Sequence, residues 1–588
     1  MRKAGDWVSI FKKLSWFFKK EKGLYIRGVI ALILVAALNV IPPHVIGLIV
    51  NKLNQHQISL TYLFFAVSSL IVIGFLQYLL RYLWRRYIFG GSLILERNLR
   101  SRIFKHYMKM DRTFYQKHRI GDLMAHATND IDAVRDVSGM GILTLADSII
   151  TGVATLLAMC IFVDFRLTLL AIIPLPFLAL MASLLGKKIH SSFMQSQAAF
   201  SELNNKTQES VLGVKVIKAL GQEKEDTQDF KKYIQRAIHA NKKAYLLDAL
   251  FDPFTTIIIG LSYVAIIYFG GKYVIQQTIT IGQLVSFIAY MGTLVWPMFA
   301  IGYLFNILER GNASYDRIMK MLAEQPEENP VTATQPLTHI SEIKFQIADF
   351  KYPNSTREVL KNINFEVRNG ETLGIVGPTG AGKSTILNLL MRDFKTYQGE
   401  ITINQHNIFT YEINSYLKQI GYVPQESFLF STTIQENIAF AQPEATLAEI
   451  QAVAQMVGLD EAIKAMPQQY AQPVKEMGNS LSGGQRQRMA MARALLLNPE
   501  LLILDDSLSA VDAKTEHHIL AELQKVRQNK TTLIAASRLS SVINADWIIV
   551  VQDGQIIEQG THQQLLAQQG WYYQTYTMQK LVTEMEAE

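Results

Sequence analysis

Thr372-Leu373-Gly374-Ile375-Val376-Gly377-Pro378-Thr379-Gly380-Ala381-Gly382-Lys383-Ser384-Thr385 decides how the second half of this 588-residue chain is read. The first five residues form a short apolar run of β type. The nine that follow have the spacing of a phosphate loop, and Ile386–Met391 continues as a helix. Glycines at 377, 380 and 382 let backbone N–H groups wrap around phosphates, and the helix start adds positive potential. Lys383 is expected to reach the β- and γ-phosphates of a bound nucleotide, and the Ser384 hydroxyl to bind Mg²⁺.

Downstream, Leu501-Leu502-Ile503-Leu504-Asp505-Asp506 reads as a buried strand ending in two carboxylates. Asp505 is placed to hold Mg²⁺. Between the two lies Leu481-Ser482-Gly483-Gly484-Gln485, opening the helix-like Arg486–Leu497. Ser482, Gly483, Gly484 and Gln485 would make a second anion-binding helix start. Tyr352, upstream of the loop, is either a stacking partner for a purine ring or an ordinary strand aromatic. Short β-like runs alternating with helical stretches make residues 341–588 an α/β domain.

Upstream of this domain the chain changes character. Residues 341–588 carry 20 Lys and Arg against 27 Asp and Glu, while the remainder carries 37 against 23. A basic, apolar first half joined to an acidic second half suggests a membrane domain fused to a soluble one. Nucleic-acid binding is the rival reading of a basic half; the long apolar runs argue against it, so no nucleic-acid partner is expected. The composition, 49% hydrophobic and 18% charged, excludes a disordered chain. Cys160 is the single cysteine, which excludes an intrachain disulfide.

Six runs approach the about 20 apolar residues that a membrane crossing needs. They are Val29–Val50, Tyr62–Tyr82, Leu143–Val163, Leu167–Leu185, Phe254–Phe269 and Ile281–Phe305. The two long connections are rich in Lys and Arg, including Arg97, Arg100, Lys187, Lys188, Lys242 and Lys243. That bias places both termini and both long loops in the cytoplasm of a multi-pass cell-membrane protein. The loops read as helical extensions of the membrane runs, and Asp111–Tyr115 and Leu247–Pro253 are either docking turns or ordinary loops. Pro42, Pro43, Pro174, Pro176 and Pro297 are candidate kinks. Trp7–Lys20 alternates apolar residues with lysines, as an interfacial helix contacting membrane lipids would. Asp147, well inside the third run, either meets a cationic substrate or is held by a structural hydrogen bond. Tyr263, Phe287, Tyr290, Phe299 and Phe305 could line an apolar cavity, face lipid or pack between helices. The chain thus divides into 1–22, an amphipathic interfacial helix; 23–320, a membrane all-α six-helix bundle; 321–340, a polar linker; and 341–588, an α/β P-loop nucleotide-binding domain.

Taken together, these motifs resemble those of ABC transporters of the exporter type, over nearly the whole length. The resemblance makes Tyr352 the aromatic contact to adenine and Gly377–Thr385 the Walker A loop, comprising Gly377, Pro378, Thr379, Gly380, Ala381, Gly382, Lys383, Ser384 and Thr385. It makes Gln425, in Gly421-Tyr422-Val423-Pro424-Gln425, the glutamine that senses Mg²⁺ and the attacking water. Ser482–Gln485 becomes the ABC signature and Ser509-Ala510-Val511-Asp512 the D-loop. Members work as dimers, each ATP lying between one Walker A loop and the opposite signature.

Two positions depart from the family pattern. The catalytic glutamate is Asp506 here, which is one methylene shorter and sets its carboxylate back by about 1 Å, a displacement that can slow a reaction about a hundredfold. The switch histidine is Ser537, in Ala536-Ser537-Arg538. A hydroxyl has neither the charge nor the reach of an imidazole. The expectation is a subunit that binds ATP and hydrolyses it slowly, paired in a heterodimer with a second half-transporter, exporting drugs or other lipophilic compounds. The alternatives are a nucleotide-gated channel or regulatory subunit, or a lipid or peptide exporter.

Overall fold

The structure is a computed structural model that describes residues 9–327, 333–353, 355–475, 478 and 480–587. Trp7 and linker residues 328–332 lie outside the described residues. The chain divides into two compact units, residues 1–109 with 119–324, and residues 110–118 with 325–588.

Among its described residues the first unit is built from helices, with no strand. Its rods are far longer than a bilayer requires: Lys22–Asn54 has 33 residues, Leu60–Tyr107 has 48, Leu175–Leu212 has 38 and Ile281–Ala323 has 43. At 1.5 Å per residue the excess extends as helix well beyond the apolar part. The polar connections in the sequence are therefore continuations of the spans, as their lack of breakers implied. The arms are tied laterally by ion pairs, Arg135 to Glu96 at 3.0 Å and Arg310 to Asp136 at 2.8 Å.

Among the described residues, five helices are long and apolar enough to cross a membrane: Lys22–Asn54, Leu60–Tyr107, Ile120–Phe162, Glu223–Ile275 and Ile281–Ala323. The fourth expected run is divided. Helix Phe165–Ile172 ends before Pro174, and Leu175–Leu212 starts with Pro174 as its N-cap. Proline lacks the N–H that an uninterrupted ladder needs but is well tolerated in a first turn, so it ends one helix and starts the next. Pro42, Pro43 and Pro297, by contrast, lie inside uninterrupted helices.

Phe287 and Tyr290 are fully buried between helices, and the Tyr290 hydroxyl donates to the Val40 carbonyl at 2.8 Å. Tyr263 packs against the same cluster. Phe299 stands 6.0 Å from Phe251, and Phe305 is exposed. Asp147 accepts a hydrogen bond at 3.1 Å from Thr151, one turn along its own helix. At the N-terminus, helices Ser9–Lys13 and Ser15–Lys20 bury Ile10, Leu14 and Phe17, while Trp16 stays exposed. Lys13 donates to Asn312 at 2.8 Å, so much of the amphipathic face is covered by protein.

The second unit contains two sheets. β1 (Glu342–Lys351), β2 (Glu358–Arg368), β4 (Gln398–Ile403) and β5 (His406–Asn407) form an antiparallel sheet in the order β2-β1-β4-β5. The other sheet contains β3 (Thr372–Val376), β6 (Ile420–Val423), β7 (Leu501–Asp505), β8 (Thr531–Ala536), β9 (Trp547–Gln552) and β10 (Gln555–Gly560), in the order β10-β9-β3-β8-β7-β6. From β9 to β6 neighbouring strands are parallel. Every residue of β7 and β8 is buried, as expected for parallel strands covered on both faces.

Candidate active site

Strand order assembles the site. The phosphate loop follows β3, Ser537 follows β8, Asp505 ends β7 with Asp506 just after it, and Gln425 lies just beyond β6. These four strands are consecutive neighbours, so all four loops emerge along one edge, at the carboxyl ends of the strands where open α/β sheets bind ligands.

Two glycines make the loop possible. Gly377 has φ +151° and an added Cβ would strike the Val551 carbonyl. Gly382 has φ +109°, caps the helix Lys383–Leu390, and has Leu360 Cδ2 2.7 Å from where a Cβ would sit. Only glycine combines these conformations with such close approach. The Lys383 ammonium donates to the Gly377 and Pro378 carbonyls at 2.7 and 3.1 Å. Burial pulls its pKa down, and Asp506 and Asp505 work against that pull. An ammonium held on backbone carbonyl acceptors is suited to exchange them for phosphate oxygens.

Ser384 Oγ donates to Asp505 Oδ1 at 2.8 Å, although 121 residues separate them. The Tyr422 hydroxyl donates to the other oxygen, Oδ2, at 3.4 Å. Burial raises the Asp505 pKa; the Ser384 and Tyr422 hydrogen bonds oppose this, and the Asp506 charge adds to it. A hydroxyl and a carboxylate side by side form an all-oxygen set suited to a hard cation, so Ser384 and Asp505 fit Mg²⁺. Gln425 is exposed beyond β6, on the same edge.

Asp506 lies at φ +46°, a region where aspartate and asparagine are the best tolerated residues after glycine. Its N–H donates to the Ala535 carbonyl at 2.8 Å, and its Oδ1 accepts the Ser537 N–H at 3.2 Å. The two residues that depart from the family pattern thus contact each other.

The Tyr352 hydroxyl shares a 2.7 Å hydrogen bond with Thr385, and its ring meets Phe394 edge-on at 5.2 Å and Phe350 at 5.1 Å. Arg112 stands 5.9 Å from the Phe394 ring centre, pairs with Asp393 and donates to Asn388 at 2.8 Å. The first expected docking turn falls in the helix Arg112–Lys117, capped by Asp111, which belongs to the second unit and reaches the helix that follows the phosphate loop. The other expected docking turn, Leu247–Pro253, belongs to the first unit, where helix Glu223–Ala249 gives way to Phe251–Ile275.

Ser482 caps the helix Gly483–Leu496 in a reciprocal capping box with Gln485, with distances of 3.2 and 2.9 Å. Two residues in this neighbourhood escaped the sequence reading. Gln487 grips Ser509-Ala510, donating to Ser509 Oγ at 3.3 Å and accepting the Ala510 N–H at 3.1 Å. Tyr422 supports Asp505. Neither residue type announces a role on its own; their positions, two after Gln485 and three before Gln425, were the available signal.

A phosphate loop, an acidic strand end and a capped Ser-Gly-Gly-Gln helix, fused to long apolar helices, define a P-loop ATPase carrying its own membrane domain. The comparisons agree. Residues 25–298 match the ABC transporter transmembrane region, and residues 360–509 the ABC transporter domain. The chain is 41% identical to the multidrug resistance-like ATP-binding protein MdlA of Buchnera aphidicola, covering 98% of this chain and all of that protein. It is 40% identical to MdlA of Escherichia coli, with 98% of each covered, and 41% identical to the probable multidrug resistance ABC transporter ATP-binding/permease protein YheI of Bacillus subtilis, with 98% and 99% covered. A solved structure of a bacterial Atm1-family ABC exporter with ATP bound superposes with a TM-score of 0.75 at 25% identity, covering 94% of this chain and 98% of that one. The chain belongs to the ABC transporter family and is an ATP-driven, multi-pass membrane transporter.

Proposed function

We propose that this chain is one half of a heterodimeric exporter that moves drugs or other lipophilic compounds out of the cell, holding ATP at its own site and hydrolysing it slowly. Six crossings with both termini in the cytoplasm complete the reading. The observation that carries it is the hydrogen bond between Asp506 Oδ1 and the Ser537 N–H at 3.2 Å. The shortened acid is engaged with backbone, and the residue beside it offers a hydroxyl where the family has an imidazole.

ATP is the substrate. Gly377–Thr385 and Lys383 would hold its phosphates, and Tyr352 would turn its ring toward the adenine. Ser384, Asp505 and Gln425 would hold Mg²⁺, which when bound neutralises charge on the phosphate oxygens. Ser482–Gln485, complete in this chain, would close the partner's site, where the partner supplies a glutamate and a histidine. ATP binding draws the two nucleotide-binding domains together, and docking turns such as Arg112–Lys117 pass that motion to the membrane helices. The names of the relatives support drug-like cargo. A second cargo class is favoured by one relative, an ATP-dependent lipid A-core flippase of Syntrophus aciditrophicus, 31% identical over 82% of this chain and 80% of that protein.

The test is ATPase activity and dye uptake in inside-out vesicles, for this chain alone and co-expressed with a half-transporter carrying Glu and His at the matching positions. Slow turnover alone and fast, coupled turnover in the pair is the expected result. Brisk turnover and transport by the chain alone would overturn it, and uptake of a fluorescent lipid in preference to dyes would select the second cargo class.

A further inference from the structure

The helix Trp571–Ala587 lies outside every motif above, yet it touches the switch segment directly. Its start is anchored: the Trp571 and Tyr572 N–H groups both donate to the Glu558 carboxylate of β10, at 2.5 and 3.2 Å. Tyr572 is fully buried and its hydroxyl meets His562 Nδ1 at 2.8 Å. Seven residues on, two helical turns along the same face, stands Gln579. Among the described residues its side-chain amide makes two contacts to the backbone of the switch segment. Nε2 donates to the Ser537 carbonyl at 3.1 Å, and Oε1 accepts the Leu539 N–H at 2.9 Å. These contacts straddle Arg538, so one planar group holds both sides of the turn.

The chain of hydrogen bonds continues to the acid. Ser537 is held through its carbonyl by Gln579 and offers its N–H to Asp506 Oδ1. Asp506 is in turn held through its own N–H by Ala535. With a serine at 537, the backbone of this segment is what meets the carboxylate, and Gln579 sets that backbone.

We propose that Gln579 is a positioning residue for ATP hydrolysis: the C-terminal helix holds the 537–539 turn, and through the Ser537 N–H it sets where the Asp506 carboxylate stands. Because Lys383, Ser384 and Tyr352 lie on other elements, releasing Gln579 changes the chemical step and leaves nucleotide affinity alone.

The test uses the full-length chain in lipid nanodiscs, without a partner, so that every site present contains Asp506. With protein in excess over radiolabelled Mg-ATP, Gln579→Ala is expected to slow single-turnover hydrolysis about five- to tenfold, the size of effect that one or two hydrogen bonds carry. Affinity for a fluorescent ATP analogue should stay within about twofold, and hydrogen exchange of the segment 536–541 should speed up about tenfold. Gln579→Glu separates the two contacts: it keeps an acceptor for the Leu539 N–H but sets a carboxylate oxygen against the Ser537 carbonyl. That variant should keep protection at Leu539 and still lose rate. Unchanged rates in both variants would overturn the proposal, as would a loss of affinity in step with the loss of rate, which would mark Gln579 as a general structural contact.

Discussion

On one side of the nucleotide pocket, Lys383, Ser384 and Asp505 present the ammonium, hydroxyl and carboxylate that phosphate and magnesium require, with Ser384 and Asp505 already 2.8 Å apart. On the other side, Asp506 and Ser537 present a shortened acid and a hydroxyl, joined through a backbone N–H. The two sides share one sheet edge and differ in what they can do. In the proposed function the first would hold nucleotide, and the second would lack the reach and charge that activate water. On that proposal holding and hydrolysis would be separable within a single pocket, the first resting on the ends of β3 and β7 and the second on those of β7 and β8.

The sharpest way to break this comparison is Lys383→Ala. Removing the ammonium should lower ATP turnover by about a thousandfold and abolish binding of a fluorescent ATP analogue. Retained binding would mean that the phosphate side is not where nucleotide is held. Next in size, Asp506→Glu with Ser537→His should raise single-turnover hydrolysis by about a hundredfold with little change in affinity. Glutamate at φ +46° is strained by about 1 kcal/mol, so a slightly lower melting midpoint should accompany the gain. No gain in rate would show that the switch side is limited by something other than these two side chains.

Tyr352→Ala sharpens the first side. Losing one stacking surface should weaken ATP binding about tenfold in equilibrium titration and leave the single-turnover rate at saturation unchanged. The smallest effect concerns stability. Burial raises the Asp505 pKa, so the folded state favours its protonated form, and ionised Asp505 opposes folding at neutral pH. That opposition fades as pH falls toward the raised pKa. Asp505→Asn should therefore raise the melting midpoint of the nucleotide-free protein at about pH 7.5, with the gap from wild type narrowing as pH falls through the raised pKa and closing only below the ordinary carboxylate range.

Contrasts in legibility follow the same physics. Elements whose pattern lies within one or two turns were readable. The phosphate loop, the Ser482 cap with Gln485 three residues on, and the arms rich in helix formers all depend on near neighbours along the chain. The division at Pro174 was half readable: five prolines were candidate kinks, and the helices continue through Pro42, Pro43 and Pro297 while Pro174 separates two of them. The aromatic ambiguity was settled for Phe287 and Tyr290 only by their burial between helices.

What no local pattern carries is which distant segments meet. Ser384 and Asp505 are 121 residues apart, Asp506 and Ser537 are 31 apart, and Ser537 and Gln579 are 42 apart. Their contacts exist because β3, β8 and β7 are neighbours in the sheet and because Glu558 fixes where the last helix begins. A glycine-rich loop advertises phosphate binding by its own composition. A glutamine that grips a turn from another element has no composition to advertise, since its role is created by the strand order around it.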